Sequence, residues 1–467
     1  MFRNGLRVYK RQLSTLLSKN PNQLKLSDVR HSKINQDDAS SRILLIQSIN
    51  QSNNESKQEL LDELIRDFSV FFKLKSSDYT SNEILKRIIE VNPGRVHSSI
   101  ELFKLYSPNL NQEISPELVK VVLRKLVHGE KGVSGEDGYV IDEEGLNNLS
   151  GLLKEHVKEL KGYETEMEEL LSKLIEDGSF ELLEEIIADK LLNVEFIQRF
   201  IKSLEDEDKD NYPFLLMFEK LFNTDPTLLT GDEYCKALDI INFKQQAGTA
   251  DKSALNSKIL EHINHSKIDI EASNLPLRVK ILECLGISND NIEVSLEKYH
   301  QYRTHATYGL HIVSTTLVKV FGYQAIKQDK HIYTTIASTL VPQDTITIKI
   351  LQILIISQGY FNKDSALELF NDYINQVSET VNEATKRSSK GLLTEAVVLS
   401  YLQNNDRSFA QLILDKAIDN KIIVEEHEIT TIKRVFKAYG ESFVEDDDWS
   451  KAKINMKNYV LNYIKNL

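Results

Sequence analysis

The chain has 467 residues, of which 41% are hydrophobic and 27% charged, and its formal net charge is −13. This length allows two or three ordinary domains or one extended array. No apolar run approaches the roughly 18 residues that cross a bilayer, so the sequence predicts no transmembrane segment. The negative charge argues against unaided binding to a polyanion, so any contact with nucleic acid must be local or made together with a partner.

The first 27 residues contrast with the acidic remainder, because they carry six basic side chains and no acidic one. In a helix, one side of this segment would hold Leu6, Leu13, Leu16 and Leu17. A basic amphipathic segment without acids is typical of a mitochondrial transit peptide, which we predict at 1–27. A disordered basic arm is the alternative. Processing is predicted either at Leu13 or nearer Ser27, and loss of all six cations would take the formal charge to −19.

Behind this segment, apolar residues recur at spacings of three and four, for example at 84–89, 118–126 and 182–187. This spacing is typical of amphipathic helices, and proline, which interrupts helices, occurs only eight times. We therefore predict an all-α protein. Its N-terminal helical region spans 28–145 and ends in a glycine-rich loop, and a helical-repeat solenoid spans 146–467.

The apolar spacing between Leu149 and Leu174 approaches a heptad. It is compatible with a short coiled coil or with the long first helix of a helical array. We favour the array helix.

Four segments share a local plan: a turn residue, then a small or apolar residue about five positions later, then an apolar pair. They are 94–103, 178–187, 361–370 and 405–414. Each follows an apolar helix, so the predicted unit is an antiparallel helical hairpin. The small residue would let the second helix approach the first closely.

This plan resembles the pentatricopeptide repeat, in which a helix leads through a turn to Ala-Leu-x-Leu-Phe in a second helix. The best matches are 345–376 and 393–424, with partial matches at 80–106 and 165–192. The 44-residue step from Ala366 to Ala410 departs from the usual repeat length, and the Gly-x-x-Pro signature is missing. The resemblance implies an irregular α-solenoid of antiparallel helical hairpins, a PPR/TPR-like superhelix. Behind a transit peptide, such degenerate repeats resemble fungal mitochondrial translational activators and transcript-stability factors.

The segment from Lys298 to Tyr333 contains five Lys or Arg residues and a single acid, and aromatic residues are interspersed among them. Cations can bind phosphates and rings can stack on bases, so this composition suits single-stranded RNA. The candidate RNA-binding residues are Lys298, Tyr299, His300, Tyr302, Arg303, His305, Lys319, Lys327 and Lys330. The alternative is that the tyrosines pack between helices and the histidines are neutral and hydrogen-bonded there.

Catalytic patterns are scarce. The sequence contains no GxxxxGK[ST], GxGxxG, GxSxG or HExxH motif. His262 and His265 have metal-like spacing without a third ligand nearby, and Cys235 and Cys284 each stand alone. We therefore predict a protein that is not an enzyme and that has no cofactor and no metal.

The last predicted helix, at 449–467, combines an aromatic-rich apolar face with four lysines. Three aspartates precede it and would favour its N-terminus. We predict that this helix caps the end of the solenoid. Docking onto a partner or a membrane surface is the alternative.

The leading hypothesis is a non-enzymatic protein of the mitochondrial matrix that supports mitochondrial gene expression. It would act in transcript stability, processing or translation by binding a mitochondrial mRNA, the mitoribosome, or both. The alternative is a protein-only scaffold or assembly factor for a respiratory-chain or ATP synthase complex. Such a scaffold would bind protein partners at the matrix side of the inner membrane, and the acidic composition favours it.

Overall fold

The computed structural model describes most of the chain after residue 17. The described residues are 18–30, 44–46, 48–49, 52–57, 59–61, 63–64, 82–91, 99–107, 113–128, 162–176, 178, 180–188, 192–204, 211–244, 252–340, 346–377, 381–382, 387–443 and 448–467. They separate into two compact units at Leu228 and Leu229. The domain boundary predicted at 145/146 lies outside the described residues, as do the glycine-rich loop and residues 1–17 of the predicted transit peptide.

The N-terminal unit is helical wherever the structure assigns regular elements to it. Its helices are α1 (Leu26–Arg30), α2 (Asn82–Val91), α3 (Ser99–Tyr106), α4 (Pro116–His128), α5 (Glu164–Glu176), α6 (Phe180–Ala188), α7 (Val194–Ser203) and α8 (Asn211–Thr224). Short helical stretches also lie within 44–49 and 57–64. Successive packing of α2 on α4, α4 on α5 and α6 on α8 gives this unit its core.

The described part of the segment predicted to be a transit peptide contacts the folded unit. Leu24 and Val29 are buried. The side-chain amide of Asn54 donates to the main-chain oxygens of Pro21 and Leu24, at 2.8 and 3.0 Å. Residues from about 20 onward therefore form part of the N-terminal unit in this structure.

The C-terminal unit is a series of helical hairpins. Its helices are α9 (Gly231–Phe243), α10 (Lys252–Ser266), α11 (Leu275–Glu283), α12 (Ile292–His305), α13 (Leu310–Gln328), α14 (Ile332–Leu340), α15 (Ile348–Phe361), α16 (Lys363–Ile374), α17 (Ser389–Leu402), α18 (Arg407–Asp419), α19 (Glu426–Ser442) and α20 (Trp449–Asn466). Several begin at a side chain that accepts an N–H of the first turn, which stabilises the helix start. These caps are Asn291, Thr347, Asn362, Ser388, Asp406 and Asp448.

The odd-numbered helices from α9 to α19 pack side by side in chain order and form what we call the first-helix layer. Each of α10, α12, α14, α16 and α18 packs against the first helix of its own hairpin. Apolar residues all around α15 and α17 are buried, since neighbours cover both helices on several sides. The prediction of an all-α, helical-repeat fold is confirmed.

The predicted close approach of paired helices is visible at Gly359 of α15. A Cβ atom added there would lie 2.4 Å from Cβ of Ser400 and 3.0 Å from Cβ of Ala366. Ala366 and Ala410 are both fully buried. The long step between these alanines includes two short strands, β1 (Val381–Asn382) and β2 (Arg387–Ser388), which pair antiparallel between α16 and α17.

The described residues of the heptad-like segment lie in a helical array. Met167, Leu170 and Leu174 are buried in α5, which packs against α4 and α6. They therefore contribute to the core of the N-terminal unit. The preceding residues at 149–161 lie outside the described part of the chain.

Helix α20 lies across the first-helix layer. It packs against α19 and also against α13. Nζ of Lys457 lies 2.8 Å from Oδ2 of Asp329, just after α13, and Nζ of Lys465 lies 4.8 Å from the ring centroid of Phe243 in α9. The helix predicted to cap the end of the solenoid thus contacts helices well inside the series.

Candidate functional site

The predicted RNA-binding region corresponds to α12, α13 and the start of α14. Its most densely hydrogen-bonded part is a buried corner around Asp269, which is 0% exposed. The Tyr302 hydroxyl donates to Oδ2 of Asp269 at 2.8 Å, and Nζ of Lys298 lies 2.9 Å from the same oxygen. Burial, together with the nearby carboxylate, raises the pKa of Tyr302 well above its ordinary value. Tyr302 and Lys298 therefore hold α12 to the segment that precedes α11.

Arg278 of α11 completes this corner and is itself 0% exposed. Its guanidinium donates to main-chain oxygens on two separate loops. The acceptors are Asp269, Ile270, Glu271, Ala306 and Tyr308. A planar group with five donors suits this set of carbonyls, so Arg278 joins the loop before α11 to the loop before α13.

Tyr299, the second aromatic candidate on α12, is also internal. It is 2% exposed, and its hydroxyl lies 2.9 Å from the Ser314 hydroxyl of α13. A ring in that position cannot stack on a base without unpacking α12 from α13. Tyr299 and Tyr302 therefore pack between helices, which is the alternative to RNA binding that the sequence left open.

Two of the candidate lysines on α13 form ion pairs with acids of the preceding hairpin. Nζ of Lys319 lies 2.9 Å from Oε1 of Glu283, and both side chains are mostly buried. Nζ of Lys327 lies 2.6 Å from Oδ1 of Asp290, with both side chains more exposed. These cations stabilise contacts between neighbouring hairpins, and less of their charge is available to phosphate.

The remaining candidates are at the surface. His300, Arg303 and His305 are exposed on α12, and Lys330 is exposed between α13 and α14, with Nζ 5.6 Å from the ring centroid of Tyr333. The structure therefore divides the nine candidates into four with largely buried contacts, Lys327, which is exposed but paired with Asp290, and four that face outward. RNA binding by the outward group stays a prediction.

A second cationic surface, absent from our sequence candidates, lies on α19. Lys433, Arg434 and Lys437 are exposed there. No acid occurs between Ile429 and Gly440, which is the sequence signal that could have identified this surface. Nζ of Lys437 lies 3.5 Å from Oε1 of Glu441, and both side chains are exposed. We call these three residues the α19 cationic stripe.

A buried polar network joins β2, α17, α19 and α20. The Arg387 guanidinium donates to the Glu395 carboxylate, and the side chains are 16% and 5% exposed. Burial raises the pKa of Glu395, against the opposing effects of Arg387 and the Tyr463 hydroxyl. Glu428 accepts from the main-chain N–H of Ser388 at 2.9 Å. The strand segment is thereby tied to α17, α19 and α20.

The residues considered for metal binding or nucleophilic chemistry do not converge. The His262 ring stacks on Tyr234, whereas Nδ1 of His265 bonds to a main-chain oxygen of its own helix. Among the described residues, no group of three His, Cys, Asp or Glu side chains could hold a metal. Burial raises the pKa of the Cys235 thiol to about 11 and also raises the pKa of Cys284.

Nor does the described part of the chain contain a helix long and apolar enough to cross a membrane.

Two comparisons with known proteins bear on this chain. A family model described as the MRX12 C-terminal domain matches residues 371–467, which hold the strand pair, the buried Arg387–Glu395 network and α20. The chain is also 22% identical over 401 residues to MIOREX complex component 12 of Saccharomyces cerevisiae, covering 77% of this chain and 74% of that protein. These similarities confirm the predicted resemblance to fungal mitochondrial gene-expression factors.

Proposed function

We propose that this protein supports mitochondrial gene expression as a non-enzymatic subunit of a larger assembly in the matrix. The observation that carries the proposal is its similarity to a yeast protein named as a complex component, over 77% of this chain. A hairpin array suits the role, because stacked helices offer long faces to partners. Within the assembly, we propose the mitoribosome and a mitochondrial RNA as the partners.

The basic N-terminal segment supports import into mitochondria. Because Leu24 is buried and Asn54 bonds to Pro21 and Leu24, we propose that processing occurs upstream of Ser18. Mass spectrometry of the N-terminal peptide, from protein purified out of mitochondria, would test this. A first residue beyond Ser18 would contradict the proposed position.

Contact through protein is the better-supported mode of binding. Acids of the same chain pair with Lys298, Lys319 and Lys327, and the whole chain is acidic. Direct RNA contact is a second candidate, supported by the exposed Arg303 and Lys330 and by the α19 cationic stripe. A few local cations can anchor a phosphate backbone even on an acidic protein.

Ultraviolet crosslinking of the tagged full-length protein in intact mitochondria, with sequencing of recovered RNA, tests direct RNA contact. The informative variants reverse exposed charges only: Arg303→Glu with Lys330→Glu, and Lys433→Glu with Lys437→Glu. Lys258→Glu, an exposed cation on α10, is the matched control. Enrichment of a few transcripts that falls in either double variant, and not in the control, supports direct contact.

Sedimentation of the same mitochondrial extracts tests the assembly role. Co-migration with a mitoribosomal subunit, together with reduced synthesis of mitochondrial proteins when the chain is absent, supports the proposal. Background levels of RNA, no co-migration, unaffected synthesis and a stable set of inner-membrane subunits would contradict it. That result would favour the protein-only scaffold, peripheral to the inner membrane.

A further inference from the structure

The first-helix layer has an open groove next to Leu467, the residue that follows α20. The groove encloses a volume of about 500 Å³ between α11, α13, α15 and Leu467. Its apolar wall includes Val279, Ile312, Ile348 and Leu467, and Ile312 is 40% exposed. Large apolar side chains at a concave surface are typical of sites that bind another molecule.

Next to this groove, the first-helix layer is covered by the amphipathic helix α20. Met456, Val460 and Ile464, spaced four residues apart, are buried where α20 crosses the layer. Around this apolar face, Lys457 pairs with Asp329, and Tyr463 bonds to Glu395. The layer thus accepts an amphipathic helix whose flanking cations and hydroxyls meet acids.

The open groove begins where this helix stops. Leu467 forms part of its wall, and Nζ of Lys349 donates to the main-chain oxygen of Leu467 at 2.8 Å. A lysine has three donors, so this bond leaves Lys349, which is exposed, with capacity for a further acceptor. The groove therefore continues an interface that the chain already uses.

The charges around the open groove are opposite to those under α20. Its rim carries Lys349 and His311, both exposed. The single acid of its lining, Glu283, lies within ion-pair distance of Lys319 and of Lys280. An occupant would thus meet the ammonium group of Lys349, where α20 meets Asp329 and Glu395.

We propose that this groove binds an acidic amphipathic helix of a partner protein. Apolar side chains spaced four residues apart would fill the space over Ile312, and a carboxylate would pair with Lys349. The inference rests on the proposed function, because it names the kind of surface through which the assembly is held. Charge complementarity and continuity with the α20 interface support this occupant over a basic segment or a nucleic acid.

The test places a photo-crosslinking phenylalanine derivative at Ile312 of the full-length protein and irradiates intact mitochondria. The matched control places the same derivative at Val424, which is 71% exposed and distant in the chain. Mass spectrometry then identifies the crosslinked peptide. The expected product at Ile312, absent at Val424, is a peptide with acidic residues and apolar residues at four-residue spacing.

Lys349→Glu provides the second measurement. Like charges that face each other across an interface oppose binding, so we expect the crosslink at Ile312 to fall about tenfold, which corresponds to about 1.4 kcal/mol. Lys258→Glu, at an exposed position of α10 away from the groove lining, should leave the crosslink unchanged. Lys349 is exposed, so its replacement should not unfold the layer, and circular dichroism of the purified variant checks this.

Four outcomes would overturn the inference. They are a crosslink to a basic peptide, to RNA or to a second copy of this chain, and a yield at Ile312 no higher than at Val424. If one of these four outcomes occurs and deletion of the chain still abolishes mitochondrial protein synthesis, the proposed occupant of the groove is refuted and the proposed function is retained. Normal synthesis with an acidic helical partner at Ile312 would refute the function alone.

Discussion

The replacement of Arg278 by lysine should strongly destabilise the C-terminal unit. Arg278 is 0% exposed, and its guanidinium donates five hydrogen bonds to main-chain oxygens before α11 and before α13. A lysine ammonium has three donors, so at least two of these carbonyls lose their charged partner. A hydrogen bond to a charged group contributes about 1.5–3 kcal/mol, so the expected loss is at least about 3 kcal/mol.

Urea unfolding of purified protein measures this loss. The only tryptophan, Trp449, packs against Tyr439 and Phe443, so its fluorescence reports on the C-terminal unit. Arg303→Lys makes the same chemical change on the exposed face of α12 and should leave the midpoint unaltered. If Arg278→Lys unfolds at the wild-type urea concentration, the five bonds do not stabilise the fold as argued.

Three further changes follow from buried polar groups. Tyr302→Phe removes the bond to Asp269 and should cost about 1.5–3 kcal/mol in urea unfolding, whereas Tyr308→Phe, at a side chain 67% exposed, should have no effect. The pKa of Glu395 is raised above its ordinary 4.5, so its contribution to stability is present below that pH and is lost as the pH rises through the raised pKa. As the pH rises from 4.5 to neutrality, the free energy of unfolding of Glu395→Gln should therefore increase relative to that of the wild type. An unchanged difference between the two free energies across that range would contradict this. With its pKa raised to about 11, Cys235 should be roughly a thousandth ionised at pH 8 and should react with Ellman's reagent far more slowly in the native protein than in urea.

Local periodicity was sufficient to predict the helices and the hairpins. The segment at 345–376 contains α15 and α16, and the segment at 393–424 contains α18 and all but the first four residues of α17. The small residues Ala366 and Ala410 are buried as expected. These features depend on neighbours within one hairpin, so a short window of sequence contains the information. Side-chain size and apolar spacing are enough to define such contacts.

The partners of the candidate RNA-binding residues could not be found in the same way. The excess of cations at 298–333 is found by comparing them only with the acids inside that segment. In the structure, Lys298 pairs with Asp269, Lys319 with Glu283 and Lys327 with Asp290. The last two pairs are 36 and 37 residues apart, because adjacent first helices are one hairpin apart in the chain. A charge count in a repeat protein therefore needs to include the preceding repeat.

Local sequence patterns also could not predict where α20 packs. An amphipathic helix at the end of a solenoid can cover its last hairpin or cross several earlier ones, and both arrangements require the same apolar face. The distinction depends on distant acceptors. Lys457 meets Asp329 across 128 residues, and Lys349 meets Leu467 across 118.

Those distant contacts change how the C-terminal unit can lose its structure. A linear array whose repeats touch only their neighbours can fray inward from either end, one hairpin at a time. Because α20 contacts both α13 and α19, it joins the ends of the segment between them into a closed loop of contacts. Hairpins α15–α16 and α17–α18 lie within that loop, so they should open together with α20 in one cooperative transition. During synthesis, this half of the unit cannot complete its packing until α20 has been made.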